Sequence, residues 1–167
     1  MRPAIDITFS CAGWARACPR AEELVRAAAS LALDRGMAAA ALAPSGPVEL
    51  AVSLADDRRQ RRLNRDWRGL DRPTNVLSFT AWEPGGCAPS TAPVLLGDVV
   101  LAFETVAREA DEQGKPLADH LSHLTVHGVL HLLGYDHATA AEAGLMEALE
   151  TAILDQLGVP DPYRDTI

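Results

Sequence analysis

The 167 residues offer no cysteine framework: Cys11, Cys18 and Cys87 are odd in number and match neither a zinc nor a redox spacing. They read as reduced thiols in a reducing, cytosolic setting. Long apolar runs are missing too. The opening MRPAIDITFS alternates apolar with polar residues and lacks the continuous stretch of a secretory signal. From Ala21 to Ala43 the chain is rich in alanine, but Glu22, Glu23, Arg26, Asp34 and Arg35 interrupt it, so it cannot span a bilayer. Internal repeats, linkers and low-complexity tails are absent. These absences point to a cytoplasmic protein with no membrane partner.

What is present is a globular composition, 48% apolar and 23% charged. The length suits a single domain over residues 1–167. A net charge of −8 would ordinarily argue against a nucleic-acid partner. The charge is unevenly placed, however. Residues 1–97 carry 12 basic and 10 acidic side chains, whereas residues 98–167 carry 3 and 13. Seven of the fifteen cations fall between Arg58 and Arg72, so the local field there differs in sign from the average.

Alternation at Ile5, Ile7 and Phe9 predicts a strand, and Val48–Leu54, Val76–Phe79 and Leu95–Ala102 predict three more. Helices are predicted over Ala21–Gly36, with Gly36 as the stop, and from Asp56 as N-cap to Trp67. Three further helices follow over Glu104–Glu112, Leu117–Leu133 and Ala140–Leu157. Glu83–Pro93, with Gly85-Gly86 and three prolines, is a predicted exposed loop. The irregular order of strands and helices predicts an α+β domain with a mixed sheet of about four strands flanked by helices.

All five histidines lie between His120 and His137. His127 and His131, four apart on a predicted helix, project within about 40° of each other and ~6 Å apart along the axis. Gly134 suits a left-handed helix end, after which Tyr135 and Asp136 can return His137 to the same point. Three neutral imidazoles with an open fourth position are what a catalytic zinc site needs, whereas structural sites are closed by four protein ligands. The plainer reading, helix-capping or surface histidines, suits a lone histidine better than three at this spacing. The candidate is therefore one Zn2+ per chain on a zincin-like metal helix, although three histidines also accept nickel or copper. His123 would stand ~12 Å from His131 along the axis, too far to share the ion. It is assigned to the surroundings of the metal or to substrate, and His120 to a solvated face.

His127–His137, HGVLHLLGYDH, matches the long protease pattern H-E-x-x-H-x-x-G-x-x-H except at Gly128, where the general-base glutamate would stand. That departure argues against peptide hydrolysis. A mid-helix glycine costs ~1 kcal/mol relative to alanine, and room for a bulky substrate beside the metal would account for it.

The same eleven residues resemble the signature of the YbeY family of bacterial endoribonucleases. Similarity extends to Asn64, Arg68 and Asp71, to Pro73-Thr74-Asn75-Val76-Leu77-Ser78-Phe79, to Leu96-Gly97-Asp98-Val99-Val100, and to Met146, Glu150, Ile153 and Leu154. The resemblance implies a single-domain zinc protein that cleaves single-stranded RNA in 16S ribosomal RNA maturation and ribosome quality control. It implies His127, His131 and His137 as metal ligands and Arg68 as the functional arginine. Small-subunit rRNA and the ribosome are the implied partners, with no DNA and no membrane. Where the family usually has aspartate, this chain has Asn75, which keeps the shape and loses the charge.

On this reading Arg68 stabilises phosphate, the alternative being a surface cation paired with Asp66 or Asp71. Arg58, Arg59, Arg61, Arg62 and Arg65 would form an RNA-backbone track or simply a solvated helix face. Trp67 reads first as core and second as a base-stacking platform. Asp98 and Asp136 are candidates for proton transfer, and Asp136 for orienting a ligand imidazole, with structural capping the plainer reading of both. Met146 reads first as packing in the last helix and second as underlying the metal. Two other functions compete: a metallopeptidase with an unconventional base, and a non-catalytic ribosome-binding module.

Overall fold

A computed structural model describes residues 3–83 and 92–164. Cys87 and most of the predicted Glu83–Pro93 loop lie outside the described residues. Four strands form one mixed sheet, as the residue pattern predicts. β1 (Ala4–Phe9), β2 (Val48–Ala55) and β4 (Val94–Ala102) run parallel, and β3 (Val76–Thr80) lies antiparallel to β4 at the edge, in the order β1-β2-β4-β3. Parallel neighbours require a long crossover. Between β1 and β2 it consists of two helices, α1 (Ala12–Ala17) and α2 (Ala21–Ala39).

α1 is not predicted from the sequence, and α2 starts at Ala21 as predicted but runs past its predicted end. At six residues α1 is too short to show a helical period. It is held by Trp14, fully buried, whose indole N–H donates to the Ala55 carbonyl at 2.8 Å and whose ring meets Phe103 edge-on at 5.1 Å. Gly36 does not stop α2, which continues to Ala39. A Cβ at Gly36 would lie 2.7 Å from Leu133 Cδ1 and 2.9 Å from Leu130 Cδ2. The missing side chain lets α2 approach the end of α5 (Leu117–Leu132), so this glycine serves packing rather than termination.

α5 is the central helix, in contact with α2, α4 (Phe103–Glu112), α6 (Ala140–Gln156) and the β3–β4 edge. Leu121, Leu124, Val126, Val129, Leu130 and Leu132 are buried around its circumference, as in a helix enclosed by protein. That enclosure corrects the expectation for His120: it is 3% exposed, not solvated, and its Nε2 lies 2.9 Å from Glu109 Oε1. Met146 packs in the same core. Among the described residues, no helix is long and apolar enough to cross a membrane.

α3 (Asp57–Arg68) starts where predicted, with Asp56 accepting from the Arg59 N–H at 2.8 Å. Its buried face is polar. Gln60 donates to the Val100 carbonyl at 3.0 Å and accepts from Thr74 N–H at 2.8 Å, while Asn64 donates to the Arg72 carbonyl at 2.7 Å. Buried amides are mostly hydrogen-bonded, although among the described residues Asn64 Oδ1 has no partner. Here they tie the segment after α3 to the sheet and so set Arg68 relative to β3.

Candidate metal centre

α5 ends just beyond His131, and the turn after it brings His137 back. Gly134 takes φ +99°, its N–H donates to the His131 carbonyl at 3.0 Å, and Tyr135 N–H reaches the Leu130 carbonyl at 3.1 Å. This is a left-handed helix end of the kind predicted at Gly134. Tyr135 then anchors the turn by donating its hydroxyl to the Gly36 carbonyl at 2.7 Å. The glycine that admits α2 thus also supplies the anchor for the His137 turn.

The structure brings the three imidazoles together. Ring centroids are 4.5 Å apart for His127 and His131, 5.1 Å for His131 and His137, and 5.8 Å for His127 and His137. One nitrogen from each lies within 4.8 Å of the others. His127 Nε2 and His131 Nε2 are 3.0 Å apart. A cation ~2.0–2.1 Å from each nitrogen fits this set, since tetrahedral ligands then sit ~3.3 Å from one another. Burial, with His127 and His137 alongside, holds His131 below the usual imidazole range, which favours the neutral form that metal binding requires.

The carboxylate beneath the site is one that residue spacing does not reveal. Glu150, on α6 and fully buried, has Oε1 2.6 Å from His127 Nδ1 and Oε2 3.0 Å from His123 Nε2. Burial alone would raise its pKa, but hydrogen bonds from His123 and His127 outweigh that and hold it at about 2. His123 therefore stands behind the candidate ligands, consistent with its distance from His131. Asp136 does not orient a ring: its Oδ1 accepts from the His137 backbone N–H at 2.7 Å. Asp98 is exposed on β4 between Gly97 and Val99, which face α5, so strand alternation sends its side chain to the other face.

Gly128 also serves packing rather than substrate room. A Cβ there would lie 2.7 Å from Val99 Cγ1 and 3.3 Å from both Ser78 Oγ and Val76 Cγ2. Its carbonyl accepts from Ser78 Oγ at 2.8 Å. The position faces the sheet, not the cleft.

The imidazoles open into a cleft of about 650 Å³, with Arg68, Asn75 and Ser78 also in its walls. Asp136 is the one carboxylate among the lining residues. Asp66 and Asp71 are taken by other cations, Arg65 at 3.2 Å and Arg61 at 2.8 Å, and Arg68 makes no ion pair among the described residues. Asn75 donates its amide to Glu109 Oε1 at 3.0 Å, a contact an ionised aspartate would turn into repulsion. Trp67 is 76% exposed, against the expectation that it is core; α3 packs through Gln60 and Asn64, and its last turn leaves the indole in solvent. A larger cavity, about 860 Å³, lies toward the start of α5, where His120 and His123 reach its wall. The three-imidazole cluster opens into the smaller one.

The family described as endoribonuclease YbeY matches residues 18–158. The endoribonuclease YbeY of Paramagnetospirillum magneticum (strain AMB-1) is 56% identical over 163 residues, covering 96% of each chain. That of Bradyrhizobium sp. (strain BTAi1) is 51% identical, covering 98% of this chain and 94% of the relative. That of Rhodopseudomonas palustris (strain BisA53) is 55% identical, covering 89% and 86%. The solution structure of TM1509 from Thermotoga maritima matches at 21% identity with a TM-score of 0.48, covering 96% of this chain and 99% of that one. With its helix-borne histidine pair, returning third histidine and matched length, the chain belongs to the endoribonuclease YbeY family.

Proposed function

We propose that the chain is a zinc-dependent endoribonuclease that cleaves single-stranded RNA, working in 16S ribosomal RNA maturation and ribosome quality control in the cytoplasm. The observation that carries this reading is the convergence of His127, His131 and His137 in one cleft with Arg68. Zinc held by the three imidazoles would supply a Lewis acid for a phosphoryl oxygen and a bound water of pKa about 7.

The chain's own residues do the rest. Arg68 presents a planar, permanently charged fork to the phosphate and stabilises negative charge that grows during cleavage. Arg58, Arg59 and Arg62 are exposed on α3 and extend the cationic track along the RNA backbone, where affinity should fall with added salt. Trp67 offers its indole to an unstacked base, which a single strand can provide and a duplex cannot. Small-subunit rRNA and the ribosome are the partners on this reading. Peptide hydrolysis is disfavoured because position 128 points into the sheet and Asp136, the lining carboxylate, already accepts from a backbone N–H.

The test is to incubate zinc-loaded protein with single-stranded RNA, duplex RNA and casein. Single-stranded RNA should be cut and casein left intact. Arg68→Ala should lower kcat/KM by roughly 100- to 1,000-fold, the loss typical of one charge-stabilising donor, with zinc affinity unchanged. Casein cleavage without RNA cleavage would favour the peptidase. Salt-dependent ribosome binding with no cleavage of any substrate would favour the binding module.

A further inference from the structure

We propose that Glu150 and Tyr163 form a brace that holds His127 in the one tautomer able to bind the metal, with Tyr163 delivered by the segment after α6. The inference rests on the metal reading above and assigns positioning roles to two residues outside the histidine motif.

Glu150 has no exposed side-chain surface, and each of its oxygens is occupied. Oε1 faces His127 Nδ1 at 2.6 Å; Oε2 faces His123 Nε2 at 3.0 Å and accepts the Tyr163 hydroxyl. An ionised carboxylate can only accept, so all three partners must donate. His127 therefore carries a proton on Nδ1, which leaves Nε2, 3.0 Å from His131 Nε2, as the nitrogen free to bind an ion. The opposite tautomer would set two lone pairs against each other at Glu150 and turn an N–H toward the ion.

Three donors on two oxygens also fix the plane of the carboxylate, and with it the plane of the imidazole. Tyr163 reaches this point because the chain turns back after α6. Gly158 takes φ +75°, and Val159 N–H bonds the Leu154 carbonyl at 2.9 Å. Asp161 Oδ1 then accepts from Tyr163 N–H at 2.9 Å and from Thr151 Oγ1 at 3.2 Å, fastening the segment to α6. The Tyr163 ring stands edge-on to His123 at 5.6 Å and, being 42% exposed itself, forms the outer wall over Glu150. His123, His127 and Glu150 also lie close enough to share a cation of their own. The hydrogen bonds already satisfy their facing atoms, and a second ion would have to displace the His127 proton.

Chelator competition on the full chain, with zinc alone and no RNA, tests the brace. Glu150→Gln should weaken zinc binding about 10- to 100-fold, as loss of a carboxylate behind a ligand histidine does. Tyr163→Phe, which removes one hydroxyl from a half-exposed ring, should weaken it roughly two- to ten-fold. The zinc-induced rise in Tm should shrink in the same order, with the Tm of the metal-free Tyr163→Phe protein near that of the parent. Parent affinity in both variants, or an unchanged zinc affinity with a lowered metal-free Tm, would overturn the inference while leaving the metal reading intact. Two zinc ions per parent chain would also overturn it, in favour of a second cation at Glu150. A parent chain that binds no zinc would remove the metal reading and the brace together.

Discussion

His131→Ala is expected to weaken zinc binding by well over 100-fold and to abolish RNA cleavage, with little change in the fold of the metal-free protein. His131 is the middle of the cluster, its ring 4.5 Å from that of His127 and 5.1 Å from that of His137. Without it the two remaining rings stand 5.8 Å apart and leave two protein ligands. Loss of a group that merely orients a ligand costs 10- to 100-fold in affinity, so loss of the ligand itself should cost more. The ring is partly exposed and lines an open cleft, so its removal leaves no sealed cavity. Chelator competition and an RNA cleavage assay on the same preparation check both halves. Undiminished cleavage by the variant would mean that the cluster is not the reactive centre.

Gly128→Glu, which restores the full protease pattern, is expected to destabilise the protein by about 4 kcal/mol or more and to produce no peptidase. The first added carbon already lies 2.7 Å from Val99 Cγ1. Overpacking of this kind costs about 1–3 kcal/mol, and an unpaired carboxylate forced against the sheet adds a burial penalty of several more. For a chain of this size that corresponds to a fall in Tm of roughly 8–16 °C. Gly128→Ala should cost less, since better helix propensity returns ~1 kcal/mol against the same clash. Thermal melts of the three proteins, with a casein assay, decide the matter. A stable Gly128→Glu protein that digests casein would show that position 128 faces the cleft after all.

The two substitutions mark where residue order was informative and where it was not. The histidine cluster is legible because its parts are local. Two residues one helical turn apart and a glycine-driven reversal lie within eleven positions, so the helix and the turn bring the rings near one another. The contact that anchors the turn, Tyr135 on the Gly36 carbonyl, is nonetheless remote in the chain. β1 is legible from alternation, the other strands from short apolar segments between turns, and the start of α3 from Asp56. What escapes the sequence is set by distant contacts. Gly36 and Gly128 look like a helix stop and a gap for substrate until Leu133 and Val99 are seen against them. His120 looks solvated until Glu109 of α4 is seen against its ring, which is 3% exposed. Trp67 has the composition of a core residue, and only the end of the packed face of α3 leaves it in solvent. Glu150 is 23 residues from His127, and Tyr163 is 40 from His123, so no spacing rule links them to the cluster.

Zinc-edge X-ray absorption on the loaded protein, with its metal content measured, shows whether three imidazoles share one zinc and leave a position free. One zinc per chain is expected, held by three imidazole nitrogens, with a single solvent oxygen that exchanges with added anions. Four protein ligands, a sulfur donor, or the same spectrum from His137→Ala would contradict this coordination.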